Sequence, residues 1–180
     1  RPLGKFFCLN SEKFFLKGLT YGPLALFRKG VPFPEGPTVE LDFSFMSELG
    51  VNSFRTFTPA PKWLLDKAAS YGLRVITGIP WAQHISFLDS SRTRAEIRNT
   101  IVQSVRASRG HPAALAHLVG NEIPPEIVRW YGAKRIRGFL RELVDVAKTT
   151  DPDVLVSYAN FPSTEYIETD FTDFLAFNVY

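Results

Sequence analysis

The chain has 180 residues, of which 45% are hydrophobic and 22% charged, values of an ordinary globular chain with one substantial core and little room for two domains. The formal charge of +3 comes from 21 basic and 18 acidic residues; the basic ones are scattered at helix-face spacings, which excludes the dense basic patch that nucleic-acid binding needs. Cys8 is the only cysteine, so an intramolecular disulfide and a cysteine metal site are both excluded.

In chain order, "KFFLKGLTY" reads as a first strand. "TVELDFSFMSELG" reads as a helix with Thr38 at its N-cap and Gly50 at its stop. "VNSFRTF" is the second strand, followed by the helical "KWLLDKAASYG", and "LRVITGI" is the third. "TRAEIRNTIVQSVRASRG" places Thr93 and Glu96 in capping-box spacing and lines up Ile97, Ile101 and Val105 on one face. "ALAHLV" is the fourth strand. "PPEIVRWYGAKRIRGFLRELVDVAKTT" reads as one long helix opened by prolines. "DVLVSYAN" is the fifth strand, a short helix is expected near "STEYIE", and "TDFLAFNVY" is the sixth strand.

Continuous apolar strands alternating with amphipathic helices imply a parallel sheet covered on both faces. A doubly wound nucleotide-binding sheet would carry a Gly-rich turn after an early strand, and "GLTYGPLALF" is not that fingerprint. The fold class expected is α/β, a (β/α)8 TIM barrel spanning residues 1–180 as a single domain. Such barrels run to roughly 250 residues, and only six strands are read, so strands seven and eight are expected to be missing. The first residue is Arg1, which suggests a chain cut from something longer. No signal-peptide core and no membrane-span-length apolar run is present, and the compartment stays open.

Chemistry in a (β/α)8 barrel gathers at the C-terminal ends of its strands. Those positions hold Thr20 and Tyr21, Arg55 and Thr56, then Pro80, Trp81, Gln83 and His84. They continue with Asn121 and Glu122, Tyr158 and Asn160, and Asn178 and Tyr180. A ring of hydrogen-bonding groups with aromatic platforms suits a hydroxyl-rich ligand such as a sugar. Glu122 could act as a general acid/base on a leaving oxygen; it could equally be a carboxylate placed at the N-terminal dipole of the next helix. Arg55, inside an apolar strand, calls for a carboxylate partner, whether structural or functional. Trp81 and His84 could bind a sugar ring and a hydroxyl, or be loop and packing residues. His111 and His117 read as structural. No histidine–carboxylate spacing points to a metal, and no cofactor is expected.

The segments "FFLKGLTYGP", "LGVNSFRTF", "HPAALAHLVGNEIP" and "FLAFNVY" together resemble the catalytic barrel of glycoside hydrolase family 2 and its clan of retaining glycosidases. The resemblance covers essentially the whole chain, and its most specific piece is "GNE" at the end of an apolar strand. It implies an O-glycosyl hydrolase acting on β-glycosidic bonds. Glu122 would be the acid/base and Asn121 the contact to the sugar 2-hydroxyl. Arg55 and Tyr180 would support the nucleophile's carboxylate. Trp81, His84, Asn160 and Asn178 fall in the substrate-contacting region. The family's nucleophile is a glutamate ending the seventh strand, beyond Tyr180, so this chain alone is expected to be inactive. A retaining pair needs its carboxyls roughly 5–5.5 Å apart, and Glu165 and Glu168 do not occupy the nucleophile's position. "PWAQH" and "NEIPPEIVRWYG" also resemble barrels attached to bacterial polysaccharide glycosyltransferases. A fused glycosyltransferase partner and an oligo- or polysaccharide ligand follow from that likeness. The alternative function is a non-catalytic carbohydrate-binding module of such a protein.

Overall fold

The structure, a computed structural model, describes residues 2–4, 6–9, 12–22, 32–34 and 36–180. The chain divides into two compact units, Arg1–Thr77 with Gly110–Leu115, and Gly78–Arg109 with Ala116–Tyr180. Part of "GLTYGPLALF" lies outside the described residues.

The first unit opens with an antiparallel sheet of β1 (Pro2–Leu3), β2 (Phe6–Leu9) and β3 (Glu12–Phe14). Parallel strands follow: β4 (Gly18–Thr20) pairs with β5 (Ser53–Thr56), and β5 with β6 (Arg74–Gly78). The first strand read from the sequence is therefore two strands, β3 and β4, in different sheets. Asn52 fixes the start of β4: its side chain donates to the Phe15 carbonyl at 2.7 Å and accepts from the Lys17 amide at 2.9 Å. Between β4 and β5 lies α1 (Gly36–Glu48), and between β5 and β6 lies α2 (Lys62–Ser70). Thr38 sits inside the first turn of α1 rather than at its N-cap. Gly50 ends the helix as expected, with φ of +73°, a conformation that strains any residue with a Cβ. Val39, Phe43 and Met46 pack with Phe54, Leu64 and Leu65 into the unit's core.

The second unit holds α3 (Ser91–Ser108), most of β7 (Ala114–Asn121), α4 (Pro125–Tyr131), α5 (Ala133–Thr150), β8 (Val156–Asn160) and β9 (Ala176–Phe177). Strands β7, β8 and β9 are parallel and adjacent in chain order. Ser90 caps α3 by accepting from the Thr93 amide at 3.1 Å, so the helix starts a turn earlier than the Thr93–Glu96 spacing suggests. Glu96 pairs with Arg92 instead. Ile97, Ile101 and Val105 are buried, as the period predicts. They pack with Phe139, Leu140, Leu143 and Val144 of α5. The single long helix expected from Pro124 to Thr150 is two helices. Gly132 separates them with φ 82° and ψ 139°, a combination open to glycine and closed to residues with a Cβ. Six parallel strands lie among the described residues, matching the six read from sequence. No helix among these residues is long and apolar enough to cross a membrane.

Candidate active site

Strand β7 is buried from Ala116 to Gly120 and emerges at the half-buried Asn121 and Glu122. At Glu122 the backbone turns left-handed, φ 49°; it is the only non-glycine residue with positive φ among the described residues. That conformation costs a residue with a Cβ roughly 1–2 kcal/mol, and it persists where neighbours over-determine it. Here they do. The Glu122 amide donates to the Ala159 carbonyl at 2.9 Å, and the Ile123 amide donates to the Tyr158 hydroxyl at 2.8 Å. The β7–β8 pairing shifts register between Leu118 and Asn121, which frees the end of β7 to turn.

The turn presents the Glu122 carboxylate to β9. Asn178 donates to Glu122 Oε1 at 2.5 Å and to Asn121 Oδ1 at 3.0 Å. Its one amide group therefore bridges both members of the Asn–Glu pair. The Tyr180 hydroxyl also donates to Glu122 Oε1. Oε2 is left without a hydrogen-bond donor among the described residues. Among the expected site residues, Glu122, Asn121, Asn178 and Tyr180 are thus gathered at one place. Tyr180 bonds Glu122 itself, whereas the family resemblance assigned it to the nucleophile.

The other candidates stand differently. The Trp81 indole N–H donates to the Val119 carbonyl at 2.7 Å, and its ring packs edge-on against Phe87 and Phe139. Trp81 thus braces β7, and its N–H is engaged. Asn160 is buried and turned into its own loop. Its amide nitrogen donates to the Thr164 and Ile167 carbonyls, and its oxygen accepts from the Phe161 amide and the Thr164 hydroxyl. With both ends of the amide occupied, Asn160 organises the loop. His84 is exposed in the loop after β6. Arg55 belongs to the first unit, where its guanidinium lies 4.9 Å over the Phe57 ring. With Thr20, Ser53 and Ile76 it lines a cavity of about 250 Å³.

Two residues gain roles that the sequence did not assign. Tyr158, fully buried, holds the Ile123 amide; burial pushes its phenol well above the ordinary value, and the Glu122 charge adds to the rise. Gln83 bonds both backbone groups of Asn121: its Nε2 donates to the carbonyl, and its Oε1 accepts from the amide at 3.2 Å. The only sequence signal for Gln83 was its place just past an apolar strand. No group of three or more His, Cys, Asp or Glu residues that could hold a metal occurs among the described residues.

A parallel strand–helix domain with a carboxylate, two carboxamides and a phenol converging at its strand ends belongs to the class of α/β domains that work from the C-terminal ends of their strands. The family model described as "Glycosyl hydrolases family 2, TIM barrel domain" matches residues 4–180. The chain belongs to that family, and its fold class is the TIM barrel. No curated protein matches it. Among solved structures, the chain is similar to β-glucuronidase 3 of Bacteroides uniformis, with TM-score 0.79 and 23% identity over 98% of this chain and 22% of that one. It is also similar to the β-glucuronidase of Ruminococcus gnavus in complex with D-glucuronic acid, with TM-score 0.79 and 17% identity over 99% and 30%. A third likeness is β-glucuronidase 2 of Bacteroides uniformis covalently bound to cyclophellitol-6-carboxylate aziridine, with TM-score 0.77 and 22% identity over 97% and 22%. The chain spans less than a third of each of these proteins.

Proposed function

We propose that this domain supplies the acid/base carboxylate of a retaining β-glycosidase, and that Glu122 is that residue. The observation that carries the reading is the left-handed Glu122 at the end of β7, with Asn178 and Tyr180 both donating to one carboxylate oxygen. A strained, over-determined backbone under a half-buried carboxylate is a feature of sites where position matters more than stability. Membership of the family supports a glycosidase activity.

In the first step, protonated Glu122 gives its proton to the glycosidic oxygen while a second carboxylate attacks the anomeric carbon; the C–O bond breaks and a glycosyl–enzyme forms. In the second, the Glu122 carboxylate takes a proton from water as that water attacks the same carbon and displaces the enzyme carboxylate. Asn121 would contact a sugar hydroxyl, and Arg55 would support the nucleophile. Glu165 and Glu168 are exposed in the loop after β8 and are not assigned that second role. The covalent adduct of the Bacteroides uniformis β-glucuronidase 2 supports a mechanism through an enzyme-bound intermediate. β-Glucuronides head the list of substrates to try, because the similar structures are β-glucuronidases.

The test is turnover of aryl β-glucuronide, β-glucoside, β-galactoside and β-mannoside by the full-length protein and its Glu122→Gln variant. The expected result is turnover of at least one substrate, reduced about 10²–10⁴-fold by the substitution. Oligosaccharide binding without cleavage, unchanged by Glu122→Gln, would replace the enzyme with a carbohydrate-holding module.

A further inference from the structure

We propose that Gln83 is a positioning residue for Glu122, acting through the backbone of Asn121; the proposal rests on the acid/base reading of Glu122. Strand β6 ends at Gly78, and its last backbone bond toward β7 in this unit runs from the Ile79 amide to the Leu118 carbonyl at 3.0 Å. Strand β7 continues for three more residues, to Asn121. Over that stretch the bonds come from side chains of the loop that follows β6. The Trp81 indole takes the Val119 carbonyl, and the Gln83 carboxamide takes both the amide and the carbonyl of Asn121.

A primary carboxamide presents one donor and one acceptor side by side, as a peptide group does. Gln83 therefore pairs with Asn121 as a neighbouring strand residue would, and carries β7 to the residue before Glu122. The loop's own geometry aims it: the Gln83 amide donates to the Trp81 carbonyl at 2.8 Å, a tight turn that sets residues 81 and 83 against residues 119 and 121. Gly120, between them, leaves room for this. A Cβ there would lie 3.1 Å from the Trp81 ring and 3.3 Å from the Tyr158 ring. Asn121 thus has its φ and ψ fixed on one side by Gln83, and the chain enters the left-handed turn at Glu122 from a defined direction. Without Gln83, both backbone groups of Asn121 lose these partners and the strained turn relaxes.

The test uses Gln83→Ala in the full-length protein with two readouts. The first is hydrogen exchange of the Asn121 amide, slow in the wild type and expected to rise at least tenfold in the variant. The second compares phenyl and dinitrophenyl glycosides of whichever sugar is turned over. A displaced proton donor lowers kcat/KM about 10- to 100-fold for phenol, which leaves only with proton assistance. For dinitrophenolate, which leaves unaided, kcat/KM should fall less than threefold, while kcat and KM fall together because the water's attack on the glycosyl–enzyme also draws on Glu122. A general loss of structure would lower both equally, and that result would overturn the proposal. Unchanged Asn121 exchange would overturn it as well. If no glycoside is turned over by any form while Asn121 exchange still rises in Gln83→Ala, the acid/base reading fails. The proposal's catalytic part then fails with it, and the backbone contact alone stands.

Discussion

Replacing His117 by glutamine tests how burial controls the charge of this fold. His117 lies on β7, 2% exposed, its Nε2 sharing a 2.9 Å hydrogen bond with the Ser108 hydroxyl of α3, and its Nδ1 has no hydrogen-bond partner among the described residues. Burial pushes its pKa down to about 4, and the charge of Asp151 only partly offsets this. An unfolded chain returns the imidazole to an ordinary pKa near 6.5. Between the two values the unfolded state binds the extra proton, so stability rises with pH there. The contribution is whole above about pH 6.5 and is lost as pH falls toward 4. From pH 7 to pH 4.5 the loss is about 2 kcal/mol. Glutamine places a polar group near Nε2 and does not titrate. Urea unfolding of both forms at the two pH values subtracts every other titrating group. The wild type should lose about 1 M more in its urea midpoint than His117→Gln, for a slope of about 1–3 kcal/mol per molar. Equal losses in the two proteins would refute the reasoning.

Further outcomes follow from single contacts. Gly120→Ala pushes a methyl against Trp81 and Tyr158; it should destabilise by about 1–3 kcal/mol in thermal or urea melts, and a neutral result would mean the two rings yield freely. Ser90→Ala removes the cap of α3 and should cost about 1 kcal/mol, measured by urea unfolding, with Ser90→Thr recovering most of it. Asn160→Ala removes a buried side chain and leaves the partners of its four hydrogen bonds unmatched. It should cost at least about 2 kcal/mol and speed amide exchange at Phe161, the one backbone donor to its side chain.

Element types and their order were legible in the sequence because helix and strand periods are local properties of the chain. The α3 stripe of Ile97, Ile101 and Val105 needed no tertiary knowledge, and neither did the six parallel strands. Boundaries were less legible where a glycine or a cap intervened. Ser90 and Thr93 are equally good caps on paper, and Gly132 reads as a tolerable helix residue until its φ is known. The Asn121–Glu122 pair was visible because a carboxylate directly after a buried strand is unusual. What the residues there do to each other was not. Asn160 and Asn178 are the same residue type at equivalent strand ends, yet one amide turns into its own loop and the other bridges Asn121 and Glu122. Gln83 looks like any loop glutamine until it is set beside Asn121, 38 residues away. Hydrophobic period and chain order are written in neighbouring residues, so the sequence alone determined the strand–helix alternation and the carboxylate at its fourth strand end. Hydrogen-bond partnership depends on distance and direction across the fold, so only the tertiary structure decided which polar groups aim Glu122 and which hold a loop.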